Sequence, residues 1–186
     1  MVVWIAKDEA FNFIYRETID RLSEMGEVHF FSPLSNEVVP EDADMVYLPG
    51  GYPEFFLEPL KASTDTMESL RRTHAMIWAE CGGMMYLSQG IDDVDMVGLL
   101  PFRTTMEGAR LHLGYRSMML NGKEYRGHEF HYSTILGTPP PSSVLLQDAK
   151  GQSVNTGFWH WGRIYAGYTH WQVDAILAGL SSAHNT

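Results

Sequence analysis

Apolar residues along the first half of the chain fall in short blocks that alternate with longer amphipathic stretches. Residues 2–6, 28–31, 45–48 and 75–79 are runs of four or five mostly apolar positions, the pattern of strands covered on both faces. Between the first two runs, residues 12–25 set Phe13, Ile14, Ile19 and Leu22 at helical spacing, and Gly26 supplies a glycine stop. Ser32, Pro33 and Leu34 break the second strand, and an acidic, proline-bearing loop leads to the third. Residues 57–73 read as mainly helical, with Thr64 or Asp65 as an internal cap, and residues 82–87 are helix-compatible again. Short strands alternating with longer helices predict an α/β fold: an open, mostly parallel central sheet with helices on both faces.

After Gly90 the texture changes. Residues 96–100, 109–120, 125–134, 143–147 and 164–168 are strand-like and are separated by Gly, Pro, Asn and Asp turns. Asn121-Gly122 is a two-residue hairpin turn. The second half is therefore expected to add antiparallel strands to the first sheet, with the last strand returning to the core. Residues 181–186 read as a frayed end. No repeat, low-complexity tract or linker interrupts the chain, so residues 1–186 are expected to form one domain.

Composition narrows the function classes. The chain has 186 residues, 45% of them hydrophobic and 19% charged, as in an ordinary globular domain. A formal net charge of −10 without a basic block argues against nucleic acid, whose phosphates demand cationic contacts. A single cysteine excludes an internal disulfide and fits a reducing cytoplasm. The acid-bearing first ten residues are not a signal peptide, and no apolar run approaches the roughly 18 residues of a membrane span.

That cysteine, Cys81, is the first candidate for chemistry. It follows the fourth strand, is succeeded by Gly82 and Gly83, and stands at the start of a helix-compatible run. A nucleophile on a sharp strand-to-helix turn needs such small neighbours, and a helix N-terminus is expected to favour its thiolate. An acyl-transfer nucleophile also needs a base and an oxyanion pocket. Gly50 and Gly51 end the third strand, on the edge where ligands sit in parallel sheets, so the Gly51 and Gly82 N–H groups could form a two-donor hole. An ordinary Pro-Gly-Gly turn is the competing reading. His170, just beyond the last strand, is the candidate base, and Gln172 would point the same way on an extended backbone. With eight histidines in the chain, a chance placement of His170 is the alternative. Alternation over residues 126–132 puts Glu129 and His131 on one face and His128, Phe130 and Tyr132 on the other. The spacing is not His-Glu-x-x-His and no helix surrounds it, so pocket lining or core pairing is expected rather than a metal site.

Several blocks together resemble one family. They are residues 6–13 (AKDEAFNF), 30–34 (FFSPL), 47–54 (YLPGGYPE), 79–87 (AECGGMMYL), 96–101 (MVGLLP), 113–115 (LGY) and 126–133 (RGHEFHYS). The match runs from about residue 3 to residue 173 and is to the C-terminal glutamine amidotransferase domain of cobyrinic acid a,c-diamide synthase. The resemblance implies a class I, triad-type glutaminase with a flavodoxin-like sheet. Cys81 would attack the side-chain amide of L-glutamine, with His170 as base, Gly51 and Gly82 as oxyanion hole, and Gly50, Tyr52, Glu129 and His131 around the substrate. Residues 168–173 (YTHWQV) are similar to the family's Tyr-x-His-x-His-Phe pattern but carry Gln172 where a second histidine stands, or glutamate in other class I glutaminases. Glutamine accepts a hydrogen bond yet brings no charge to an imidazolium; Glu129 or His131 are the alternatives for that role.

The resemblance further implies an N-terminal ATP-binding synthetase domain that activates corrin carboxylates. This chain has no Gly-x-x-x-x-Gly-Lys-Ser/Thr loop, so no cofactor is expected in this domain, and ATP, magnesium and the corrinoid acceptor are expected on the synthetase part. The expected role is ammonia supply for amidation of the a and c carboxylates of cobyrinic or hydrogenobyrinic acid. The alternatives are the same glutaminase serving cobyric acid, a nickel sirohydrochlorin or a cell-wall precursor; a weakly active docking domain; or another cysteine–histidine hydrolase.

Overall fold

In the computed structural model, which describes residues 1–183, the first half follows the expected order. Strand β1 (Val2–Ala6) leads to helix α1 (Arg16–Met25), β2 (Glu27–Phe31) and β3 (Met45–Leu48). Helices α2 (Leu57–Ala62) and α3 (Thr64–Arg72) precede β4 (Met76–Glu80), and α4 (Gly82–Leu87) follows it. The second half comprises β5 (Ser88–Ile91), β6 (Val94–Asp95), β7 (Leu100–Thr105), β8 (His112–Leu120), β9 (Lys123–His131), β10 (Thr134–Ile135), β11 (Leu146–Gln147), β12 (Phe158–Trp161), β13 (Ile164–Gly167), β14 (His170–Trp171) and α5 (Val173–Ala183).

The central sheet has the order β12-β13-β4-β3-β1-β2, and every pairing in it is parallel except that of edge strand β12 with β13. Successive side chains of a strand point to opposite faces, and this sheet buries both. On β4, Met76 and Trp78 join a core with Leu22 of α1 and Ala175, Ile176 and Leu180 of α5. Ile77 and Ala79 face the other way, into a core with Leu60 of α2, Leu70 of α3 and Met84 to Leu87 of α4. That two-sided burial is why the strand sequences lack polar alternation.

Several expectations are corrected, among them the strand over residues 96–100: residues 96–99 belong to no strand and β7 begins only at Leu100. Only β12 adds an antiparallel strand to the central sheet; the others form two smaller sheets, β10-β7-β5-β6 and β11-β8-β9-β14. Helix α1 begins at Arg16, because residues 12–15 instead bring Phe13 into a bridge with Gly50. Gly26 is extended (φ 170°), so the helix stops by running into β2 rather than through a left-handed cap. Residues 57–73 break at Ser63, and α3 is capped from outside by Asn36, whose Oδ1 accepts from the Asp65 and Thr66 N–H groups. Residues 181–183 complete α5, a helix not anticipated from the sequence, and residues 184–186 lie outside the described part. The Asn121-Gly122 turn does join β8 to β9, with both residues at positive φ (53° and 77°).

Candidate active site

Strand β4 delivers Cys81 to the carboxyl edge of the sheet. The Cys81 N–H continues the ladder by donating to Gly167 O at 2.8 Å, while its carbonyl accepts the first bond of α4 from Met85 at 3.0 Å. One residue thus has to end a strand and begin a helix, and it does so at φ 47°, ψ −108°. A non-glycine residue in that region costs on the order of 1–3 kcal/mol, and such strain is concentrated where chemistry requires a fixed side chain. The side chain turns into a cavity of about 340 Å³, shared with His170 and bounded by Phe13, Gly51, Tyr52, His128 and Phe130.

His170 enters from β14, which leaves the sheet after β13 and pairs with β9 so that His170 lies opposite His128. The two imidazoles stack at 5.1 Å, and Phe13 meets the His170 ring edge-on at 4.6 Å. Asp8 fixes the loop that brings Phe13: its carboxylate accepts from the N–H groups of Ala10, Phe11 and Leu34 and from the Ser32 hydroxyl. The third side of the ring rests on Gly50, where a methyl group would lie 2.2 Å from His170 Cε1. Gly50 is therefore a glycine because the imidazole occupies the space of its Cβ.

Burial sets the protonation of this pair. The Cys81 thiol is pushed up to about 12 by burial and then by the Glu54 charge, with the Gly82 N–H opposing. His170 is pushed down to about 3, first by burial and then by His128 and His131. Both groups rest uncharged at neutral pH. This corrects the expectation of a thiolate stabilised by a helix N-terminus: α4 has six residues, and desolvation outweighs it. At rest the thiol donates to Phe130 O at 3.7 Å. The Gly51 backbone lies close to Gly82, since a methyl group on Gly82 would lie 2.9 Å from Gly51 O and 3.0 Å from Gly51 N.

Other residues singled out in the sequence lie elsewhere. Glu129 and His131 share a face as expected, but it is the buried one. Glu129 pairs with Arg116, His131 bonds Glu129 at 3.2 Å and Ser133 O at 2.8 Å, and the His131 ring stacks on Tyr168 at 3.7 Å. These contacts close the two residues into a buried network; neither is among the residues that line the cavity, and neither bonds His170 Nδ1. Gln172 is exposed, anchored by its N–H to Arg126 O at 3.0 Å, and lines a second cavity of about 680 Å³ beyond the two stacked imidazoles. Among the described residues no group of three or more His, Cys, Asp and Glu side chains is arranged to hold a metal ion, and no helix is long and apolar enough to cross a membrane.

One residue was missed. Glu80, just before Cys81, is 1% exposed and points back under the site. Its Oε1 accepts from Trp78 Nε1 at 2.9 Å and from the Trp171 N–H at 3.1 Å; its Oε2 accepts from the Tyr47 hydroxyl at 2.9 Å. Oε2 also lies 3.8 Å from His170 Nδ1. The only hint in the sequence is an acid at the end of an otherwise apolar strand.

The sheet, the elbow and the histidine-bearing strand define the fold class of glutamine amidotransferases. A solved structure described as a glutamine amidotransferase aligns with TM-score 0.66 at 14% identity, covering 98% of each chain. A chain of PurLQS from Thermotoga maritima aligns with the same score and identity over 99% of this chain and 97% of its own, which at that identity shows a shared fold. Residues 2–176 match the CobB/CobQ-like glutamine amidotransferase domain, and the chain belongs to that family. It is 37% identical over 185 residues to the cobyrinate a,c-diamide synthase of Thermoplasma acidophilum, covering 90% of this chain and 41% of that protein. It is 43% identical over 147 residues to the enzyme of the same name from Methanothermobacter thermautotrophicus, covering 73% of this chain and 33% of that protein. The chain thus spans about two fifths or less of the length of these relatives.

Proposed function

We propose that this glutamine amidotransferase domain hydrolyses L-glutamine through a Cys81 thioester. His170, neutral at rest, takes the thiol proton as sulfur attacks the amide carbon. The oxyanion then faces the Gly51 and Gly82 N–H groups, each such donor being worth about 3 kcal/mol of barrier. The imidazolium returns its proton to the departing nitrogen, the C–N bond breaks and ammonia leaves. Water, deprotonated by the same imidazole, cleaves the thioester to glutamate and free thiol. The single observation that carries this reading is the strained Cys81 elbow opening into the same cavity as His170.

Ammonia is then consumed by an ATP- and magnesium-dependent synthetase segment, in cis or in trans, that amidates the a and c carboxylates of cobyrinic or hydrogenobyrinic acid. The support is the name of the relatives and the share of their length that this chain leaves to another segment. A soluble, cytoplasmic setting fits a lone cysteine and a pathway supplied with ATP. The test is labelling with diazo-oxo-norleucine, a thiol-reactive glutamine analogue. One equivalent attached at Cys81, absent in Cys81→Ala, supports the glutaminase. No labelling and no ammonia release would leave a docking module, and turnover of peptides would point to a different hydrolase.

A further inference from the structure

Gln172 is exposed, brings no charge, and makes no hydrogen bond to His170 Nδ1. His170 Nδ1 is buried and, among the described residues, has no hydrogen-bond partner. A buried imidazole N–H without an acceptor costs about 1–3 kcal/mol, and the cost grows when the ring becomes charged. A carboxylate oxygen stands close to that nitrogen: Glu80 Oε2 lies 3.8 Å away, just beyond hydrogen-bond distance.

We propose that Glu80 is the positioning residue of this glutaminase: its carboxylate accepts Nδ1–H, holds Nε2 as the free base, and offsets the imidazolium charge formed when Cys81 gives up its proton. The proton that moves is the thiol's, from Sγ to Nε2; the Nδ1 proton stays on the ring, shared with Oε2. The proposal rests on the Cys81–His170 reading and extends it.

The carboxylate's other contacts suit this role. Trp78 Nε1–H, the Trp171 N–H and the Tyr47 O–H converge on it from β4, β14 and β3, fixing its plane while bringing no counter-charge. A cation there would have satisfied the acid without the histidine. The Trp171 bond also ties the acid to the strand that carries His170, so both ends of the Nδ1 contact are set by one short segment. The titratable groups facing the pair are Tyr47 from β3, Tyr15 from the loop before α1, Cys81, and His128, Glu129 and His131 from β9.

The test uses the 186-residue chain. Two-bond ¹⁵N–¹H correlation at pH 8 should find neutral His170 protonated on Nδ1 in the unmodified protein. Glu80→Gln keeps the shape and one amide oxygen as acceptor while removing the charge; it should lower kcat for glutamine hydrolysis by about 10²-fold or more, leave KM within threefold, and flatten the acid limb of the kcat/KM profile near neutral pH. A purely structural carboxyl would move stability but not that limb. An Nε2-protonated ring in the unmodified protein overturns the proposal, as does a Glu80→Gln rate within threefold with an unchanged profile. Cys81→Ala and His170→Ala run alongside: activity surviving in them would refute the glutaminase itself, whereas activity lost in them and kept in Glu80→Gln would refute only the role of Glu80.

Discussion

Replacing Gly50 by alanine tests the placement of the proposed base, His170, without touching it. The new methyl would lie 2.2 Å from His170 Cε1, against an ordinary contact of 3.4 Å, so the imidazole must retreat by roughly 1.2 Å. It cannot slide freely, because Phe13 closes one side at 4.6 Å and His128 the other at 5.1 Å. A misplacement of about 1 Å in a catalytic group costs on the order of 10²-fold in rate. Gly50 is not at positive φ, so its backbone accepts alanine, and the reduced freedom of the unfolded chain offsets part of the local crowding by about 0.4–1 kcal/mol. The expected variant is folded, melts within a few degrees of the parent, binds glutamine with similar KM and turns over about 100-fold more slowly. Glutamate release gives kcat, circular dichroism gives the melt, and the His170 ring shifts report whether the imidazole has moved. A Gly50→Ala enzyme within threefold of the parent while its His170 shifts change would show that this histidine is not the base.

Three more outcomes follow from the same geometry. Cys81→Gly and Cys81→Ala should both lack hydrolysis, and the glycine variant should be the more stable by about 1 kcal/mol in urea, reversing the usual order because φ 47° is strained only for the residue with a Cβ. Stability should peak between the two titrations of the buried pair. His170, held near 3 against 6.5 unfolded, makes stability fall as pH drops through that interval, and Glu80, raised to about 7 against 4.5, makes it fall as pH rises from 4.5 to 7. Urea midpoints against pH should therefore lose the upper decline in Glu80→Gln and the lower one in His170→Gln. Gln172→Ala should hydrolyse glutamine within threefold of the parent; a loss of 10²-fold would return the third position to Gln172.

The parallel half of the fold was legible because burial on both faces leaves strands of continuous apolar residues, such as Met45 to Leu48. Of the strands after Gly90, β8, β9 and β13 were legible singly and the Asn121-Gly122 turn fixed one pairing, whereas residues 96–99 are loop and β7 and β12 left no clear pattern; the assembly into two separate sheets depends on non-local contacts that alternation does not encode. Helix α5 carried its signal in Val173, Ile176, Leu177 and Leu180, spaced by three, one and three, and was overlooked beside the polar tail. Cys81 stood out from its neighbours, and His170 from its distance beyond the last strand. Glu129 and His131 were assigned to one face correctly; that this face turns inward shows only in their contacts with Arg116, across the hairpin, and with Tyr168, 37 positions beyond His131. Glu80 was illegible for the same reason: its meaning comes from Tyr47, Trp171 and His170, which are 33, 91 and 90 positions away in the numbering.

What the site needs is an acceptor at Nδ1, and the sheet offers two routes to it. One runs along the histidine's own strand, two residues on; the other comes from the neighbouring strand that carries the nucleophile. Taking the second route puts the acid inside the core, where ionisation is costly, and its three donors are what bring its titration down to about 7. Tyr47→Phe removes one of them, the 2.9 Å bond to Oε2, while keeping the ring that packs beneath. A hydrogen bond to a charged group contributes about 1.5–3 kcal/mol, which corresponds to roughly one to two pH units in the ionisation it favours. If Glu80 must be ionised for His170 to work, the acid limb of kcat/KM should move upward by about that amount in Tyr47→Phe, with little change in the plateau reached at high pH. A limb that stays in place, or shifts downward, would mean that the ionisation of Glu80 is not linked to turnover, and the second route would then be only a way of holding β3, β4 and β14 together.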